Sequence, residues 1–255
     1  NGVTATLNSL VITKGANSPG GGGIYNYGNT TVTNCMLLDN SSGGIYNSSG
    51  TLTVTNSTFS GNSGGGIVSN NGALFVTNST FSGNSSAIGG GGILNYSTTT
   101  VANSTFSDNS SDQGGGVYNG GMLTITSSTL SGNSATAIGG GIYNDGTLTI
   151  TNSTLSGNSA GQGGGIFSLD TLNFANTLIA NSLSGGDCFN PGTIVTNTNN
   201  LVEDGSCSAS LSGDPKLGAL ADNGGITQTM ALLDGSSAIN AGDNATCAPT
   251  DQRGV

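Results

Sequence analysis

Carboxylates carry almost all the reactive functionality of this 255-residue chain: 13 Asp and Glu stand against no His and three basic residues, Lys14, Lys216 and Arg253. Eliminative cleavage of a polysaccharide would need carboxylates gathered around Ca²⁺ and a base to remove a proton. Over the first 182 residues the sole basic side chain is Lys14, near one end. Hydrolysis would need two acids about 5–9.5 Å apart, yet Asp108, Asp112, Asp145 and Asp170 stand in unrelated sequence contexts. The acids Asp187, Glu203, Asp204, Asp214, Asp222, Asp234 and Asp243 are denser, but most lie beside Gly or Asn, where turn capping is their ordinary use. No catalytic residue set is assigned. The expectation is a chain that is not an enzyme and holds no cofactor, with structural Ca²⁺ as the one ion such acids would suit.

Other features with chemical potential have plainer readings. Glycine runs such as Gly89 to Gly92 are not followed by Lys-Ser/Thr and so are not phosphate loops. Tyr25, Tyr46, Tyr118 and Tyr143 each follow an apolar residue and a Gly cluster, so they should face outward, either stacking on sugar rings or shielding their neighbours. Pairs such as Thr53 and Thr55 or Thr149 and Thr151 form a flat array of the kind that binds ice, interrupted at Phe75, Ala102, Asn173 and Ala175; Thr is also simply a good exposed strand residue. Asn-x-Ser/Thr sequons, at Asn56, Asn78, Asn103 and Asn152 among others, arise from the repeat itself and are weak evidence for sugar attachment. With a net charge of −10 the chain should repel nucleic acid and anionic membranes, and no apolar run is long enough for membrane insertion.

The elements that must position these residues are set by a repeat. A Gly-Gly-Ile-Tyr-Asn block recurs with its apolar residue at Ile24, Ile45, Ile67, Ile93, Val117, Ile142 and Ile166, in steps of 21, 22, 26, 24, 25 and 24 residues. A second block, Thr-Leu-Thr-Val-Thr-Asn-Ser-Thr-Phe-Ser, supplies two apolar series. One contains Val32, Val54, Val76, Val101, Ile125 and Ile150; the other, five residues on, contains Phe59, Phe81 and Phe106. Alternation with period two predicts strands, and units of about 24 residues that cannot bury an apolar face alone must stack. The fold expected is all-β: a single-stranded right-handed parallel β-helix of about eight regular coils over residues 1–182, followed by a less regular C-terminal β region over 183–255 that continues or caps it.

Each series should form a ladder of identical side chains. Asn56, Asn78, Asn103 and Asn152, two residues after the Val series, are expected to stack as amides at a corner. A further series, Asn62, Asn84, Asn109, Asn133 and Asn158, follows the Phe/Leu positions. Cys188 and Cys207 bracket a short loop-rich stretch and suggest a disulfide; Cys35 and Cys247 are expected to be unpaired or to pair beyond this chain.

Two resemblances rest on these residues. Gly65-Gly66-Ile67 together with Phe59 to Asn62, Phe81 to Asn84 and Phe106 to Asn109 resembles the repeats of polymorphic outer membrane proteins, which are bacterial surface adhesins. The stretches Asp214-Pro215, Leu220 to Gly225, Ala238 to Asp243 and Asp251 to Gly254 resemble the choice-of-anchor Q domain of bacterial surface β-helix proteins. The second resemblance implies a Cys-containing end and a cell-surface anchor beyond Val255, and a chain trimmed from a longer product. The functional expectation is an extracellular or cell-surface structural protein: a stalk or adhesin, or the subunit of a fibre built by end-to-end stacking. Its partners would be its own copies or surface and matrix glycans. The rival readings are a polysaccharide-binding or polysaccharide-degrading protein and, behind them, an ice-binding one.

Overall fold

The computed structural model describes residues 3–16 and 21–255, and the chain is a right-handed parallel β-helix of about eight coils. Each coil contributes one strand to each of three long sheets. The first holds nine strands, from Thr4–Asn8 to Thr193–Thr198; the second holds nine, from Val11–Thr13 to Leu201–Val202; the third holds eight, from Ile24–Asn26 to Cys188–Phe189. Pairing is in register, so that Val54 faces Val32 and Val76, and Phe81 faces Phe59 and Phe106. A small fourth sheet, Ser85–Ser86, Ser110–Gln113 and Ser134–Ile138, widens the middle coils.

Inside the tube, like packs on like. Val32, Val54, Val76, Val101, Ile125 and Ile150 are fully or almost fully buried, as are Phe59, Phe81 and Phe106. The three Phe rings stack nearly parallel with centroids 4.7 Å apart. A ladder not singled out from the sequence lies two residues before the Val series, at Leu52, Leu74, Leu123, Leu148 and Leu172. Opposite the Phe ladder the third sheet approaches so closely that only glycine fits. A Cβ on Gly66 would lie 2.6 Å from the Gly92 carbonyl oxygen and 2.7 Å from the Phe81 ring.

The amide ladders are not where the first Asn series suggested. Asn56, Asn78, Asn103 and Asn152 have φ of 50–52° and lie at a corner with Asn56 exposed and the other three half-buried. No side-chain bond joins Asn56, Asn78 and Asn103 to one another, although Asn152 accepts from the Asn176 amide one coil on at 3.3 Å. Asn is used here because its short polar side chain tolerates the left-handed backbone. The residue after it forms the buried ladder. The Ser79 hydroxyl accepts the Ser57 N–H at 3.1 Å and donates to the Thr77 carbonyl at 2.9 Å, and Ser104, Ser128 and Ser153 repeat the pattern. Cys35 occupies the equivalent place one coil earlier, its thiol directed at the Thr33 carbonyl, which accounts for its burial.

Two corners are amide-lined. Asn40, Asn62, Asn84, Asn109, Asn133 and Asn158 are buried, and each backbone N–H and side-chain amide donates to the next Asn Oδ1 at 2.8–3.1 Å. From Asn62 onward each amide also donates to the carbonyl of a Leu or Phe in the preceding coil. Asn26, Asn47, Asn95, Asn119 and Asn144 line the other corner.

Coiling persists past residue 182 as far as Val202, and the following loop closes the C-terminal end. Cys188 is disulfide-bonded to Cys207, and Leu211 bridges to Leu201. Residues from Asp214 onward do not extend the tube. They form an antiparallel hairpin, Leu217–Ala221 with Thr229–Leu232, in a strap that returns along the outside of the second sheet. The Gln252 amide bolts it down, donating to the Thr105 and Thr227 hydroxyls at 2.9 Å while its carbonyl oxygen accepts from Thr129 at 2.7 Å.

Loss of one amide from the buried ladder strands several polar groups at once, each worth about 1–3 kcal/mol. Asn84→Ala should therefore lower stability by at least about 3 kcal/mol in urea unfolding, and Phe81→Ala by about 3–5 kcal/mol. Asn78→Gly, at the left-handed corner, should change it by no more than a few tenths.

Candidate functional site

Most of the acids singled out from the sequence do not converge, although Asp187, Glu203 and Asp204 line one open groove near the C-terminal end of the tube. Asp112 accepts from the Thr136 hydroxyl, Asp170 from Thr171, and Asp145 lies exposed on the third face. Asp214, Asp222, Asp243 and Asp251 each accept a backbone N–H two residues ahead, at 2.7–3.1 Å. Asp187 and Asp204 each accept the other's backbone N–H, and Glu203 accepts that of Asn181. Burial pushes the Asp204 carboxyl upward, but the Ser206 hydroxyl and the N–H groups of Asp187 and Ser206 outweigh it and hold it below the usual carboxylate range. Among the described residues no three Asp, Glu or Cys side chains are grouped to hold a metal ion. Lys14 sits at a left-handed turn in the first coil.

The outer surface of the third sheet is organised differently. The middle residue of each of its strands points outward, and the register runs Tyr25, Tyr46, Val68, Leu94, Tyr118, Tyr143, Phe167, Phe189. The four tyrosines marked from the sequence therefore lie on one stripe, in two groups. Tyr25 stacks on Tyr46 at 4.9 Å, and Tyr118 meets Tyr143 at 4.8 Å, with Phe167 and Phe189 continuing the second group. Tyr143 is only 5% exposed, so it shields its neighbours and has no face free for a ligand. Tyr25 is 42% exposed, its ring between those of Tyr27 at 4.6 Å and Tyr46 at 4.9 Å.

Between the groups the aromatic series breaks at Val68 and Leu94, and there the surface opens into a cleft of about 540 Å³. Tyr46 and Tyr25 line it toward the first coil, and Tyr96, two residues after Leu94, stands on its wall with Asn70. Ile88, 74% exposed, overhangs from the loop between Asn84 and Ile93, four residues longer than the equivalent Asn62–Ile67 loop one coil earlier. Sequence reasoning passed over Tyr96, Val68 and Ile88 because each departs from the repeat that made the rest legible. The interruption of the Tyr series at Val68 was the available signal. A second groove, of about 520 Å³, runs beneath the C-terminal strap; Asp251 and Arg253 on its wall pair at 2.6 Å.

Residues 4–106 match the family model of the right-handed β-helix region, and residues 103–120 and 127–145 match the Chlamydia polymorphic membrane protein repeat. Such repeats point to a bacterial surface protein. The matches do not extend to the C-terminal stretch on which the choice-of-anchor Q resemblance rests. No curated protein and no solved structure significantly matches the chain. No described helix is long and apolar enough to cross a membrane.

The phenols of Tyr118 and Tyr143 titrate late, burial being the first cause in both. Burial, then the charges of Asp145 and Tyr118, push Tyr143 up to about 12 from an ordinary 10.0. Below pH 10 both folded and unfolded chains keep this proton. Between pH 10 and about 12 only the unfolded chain loses it, so stability falls as pH rises through that window. Thermal melts across it should show a smaller loss for Tyr143→Phe than for the unaltered protein.

Proposed function

We propose that the protein is a non-enzymatic bacterial surface protein, a rigid rod that holds a binding face away from its anchorage, and that it works without a cofactor. The match of its middle coils to the polymorphic membrane protein repeat carries this reading. The ladders support it: the inward side chains and corner amides of each coil are engaged by the adjacent coils, which gives stiffness. The carboxylates support it as well, since most of them accept hydrogen bonds at turns. An extracellular setting suits the Cys188–Cys207 disulfide.

Of the two structural readings, stalk or adhesin is favoured over fibre subunit. Docking the first coil of one copy on the last coil of another would require free strand edges at the C-terminal end. There the loop carrying Cys207 and Leu211 lies across two of the three sheets. The Thr array on the first sheet is broken by Phe75 and Met122, both exposed, which weighs against ice binding.

Electron microscopy of the purified protein should show dispersed short rods; fibres with an axial repeat of one subunit would overturn the stalk reading. Incubation with a polysaccharide panel in the presence of Ca²⁺ should release neither reducing ends nor unsaturated products. Release that is lost on substituting Lys14 or a paired carboxylate would establish an enzyme instead.

A further inference from the structure

We propose that the cleft between Tyr46 and Tyr96 is a binding site for a neutral polysaccharide chain. The proposal deepens the surface reading by naming the ligand of its binding face. It starts from two departures from an otherwise self-copying surface. At Val68 a small aliphatic residue stands where the preceding coils carry Tyr25 and Tyr46, and the loop bearing Ile88, from Asn84 to Ile93, is four residues longer than the equivalent Asn40–Ile45 and Asn62–Ile67 loops of the two preceding coils. The first departure removes a ring from the stripe and the second raises a wall beside the gap. Together with Tyr96, they convert a convex ladder into a concavity whose size falls within the range of small-ligand sites.

The chemistry of the walls selects the ligand. A sugar ring presents an apolar C–H face and an equatorial rim of hydroxyls. Tyr46 and Tyr96 border the space with phenol rings, and Tyr25, which also lines it, stacks on Tyr46 at 4.9 Å and holds it in place. Val68, Leu94 and Ile88 supply apolar surface between them, while the Asn70 amide and Ser42 hydroxyl are placed at the edge to exchange hydrogen bonds with hydroxyl groups. No lining residue is charged, and the chain as a whole carries −10, so an acidic polysaccharide would be repelled at long range. A stripe running on along the tube axis favours an extended chain over a single sugar. The buried state of Tyr143, sixth along the stripe, keeps the ligand on the coils before it.

The protein contains six Tyr and no Trp, so its near-ultraviolet fluorescence reports on tyrosine alone. Titration with cellohexaose, mannohexaose and xylohexaose should give saturable fluorescence changes and calorimetric heats with at least one of them. Tyr46→Ala should weaken that binding by about 3- to 10-fold, the worth of one aromatic contact. Val68→Tyr restores the repeat, fills the cleft without opening a cavity, and should abolish binding while leaving the melting temperature near that of the unaltered protein. Tyr118→Ala, outside the cleft, should bind as before. Unchanged binding by Val68→Tyr would overturn the site, and so would binding to neutral phosphatidylcholine vesicles but to none of the sugars. Neither result touches the non-enzymatic reading, which fails on product release, or the stalk reading, which fails on fibres.

Discussion

In-register parallel stacking is the constraint on which everything else here depends. Each side chain in the coils has a neighbour at about 4.8 Å that occupies the same structural position, and in most coils that neighbour is the same residue type. A position is thus occupied only by a residue that tolerates itself as a partner. Charged residues fail that condition, because like charges directly opposite repel; only 6% of the chain is charged. Phe meets it by stacking, and Val, Leu and Ile by packing. Asn meets it best among polar residues, since one amide carries both the donor and the acceptor that its copy requires. The ladder from Asn40 to Asn158 shows this directly, with Nδ2 of each residue bonded to Oδ1 of the next.

The same constraint explains how much of the molecule could be read from its sequence. Periodicity exposes every position that copies itself, so the Val and Phe ladders, the Gly-Gly approach and the outward tyrosines were all legible. What periodicity does not reveal is why a residue recurs. Asn56 and Asn62 recur with equal regularity, yet one holds a left-handed turn in the open and the other a buried hydrogen-bond ladder. The substitution pattern separates them: the corner series accepts Ser127, a residue with no amide to stack, whereas Asn62 and its copies are never replaced between Asn40 and Asn158. Two steps of reasoning, first from recurrence to importance and then from tolerated exceptions to mechanism, would have placed the ladder correctly.

The C-terminal strap lies beyond the reach of that method because nothing in it repeats. Asp214–Pro215, the Asp222 to Gly225 turn and Gln252 were visible as motifs, but no internal copy fixed where they pack. In the fold they come together. Gly225 lies against the backbone of Arg253, and Gln252 reaches the outward Thr105 and Thr129 of the second sheet. Those threonines look in sequence like their half-buried equivalents Thr58 and Thr80, and become fully buried because a separate segment covers them. Long-range docking of this kind leaves only a composition signal, here the Asn and Thr side chains at the contact.

A solenoid whose surface copies itself presents the same chemistry at every coil and so cannot concentrate recognition at one place. Specificity has to enter through departures from the repeat, at positions where relaxing self-complementarity costs least. The outward stripe of the third sheet is such a place. The inward Ile67 and Ile93 stay fully buried beneath Val68 and Leu94, so the core ladder runs on undisturbed while the surface above it changes shape. Loop length is equally free at the edge of the third sheet, where Ala87, Ile88 and Gly89 lie outside the strands. Interior uniformity and exterior variation are therefore separable in this fold, and the cleft bounded by Tyr46, Tyr96 and Ile88 lies where that separation is used.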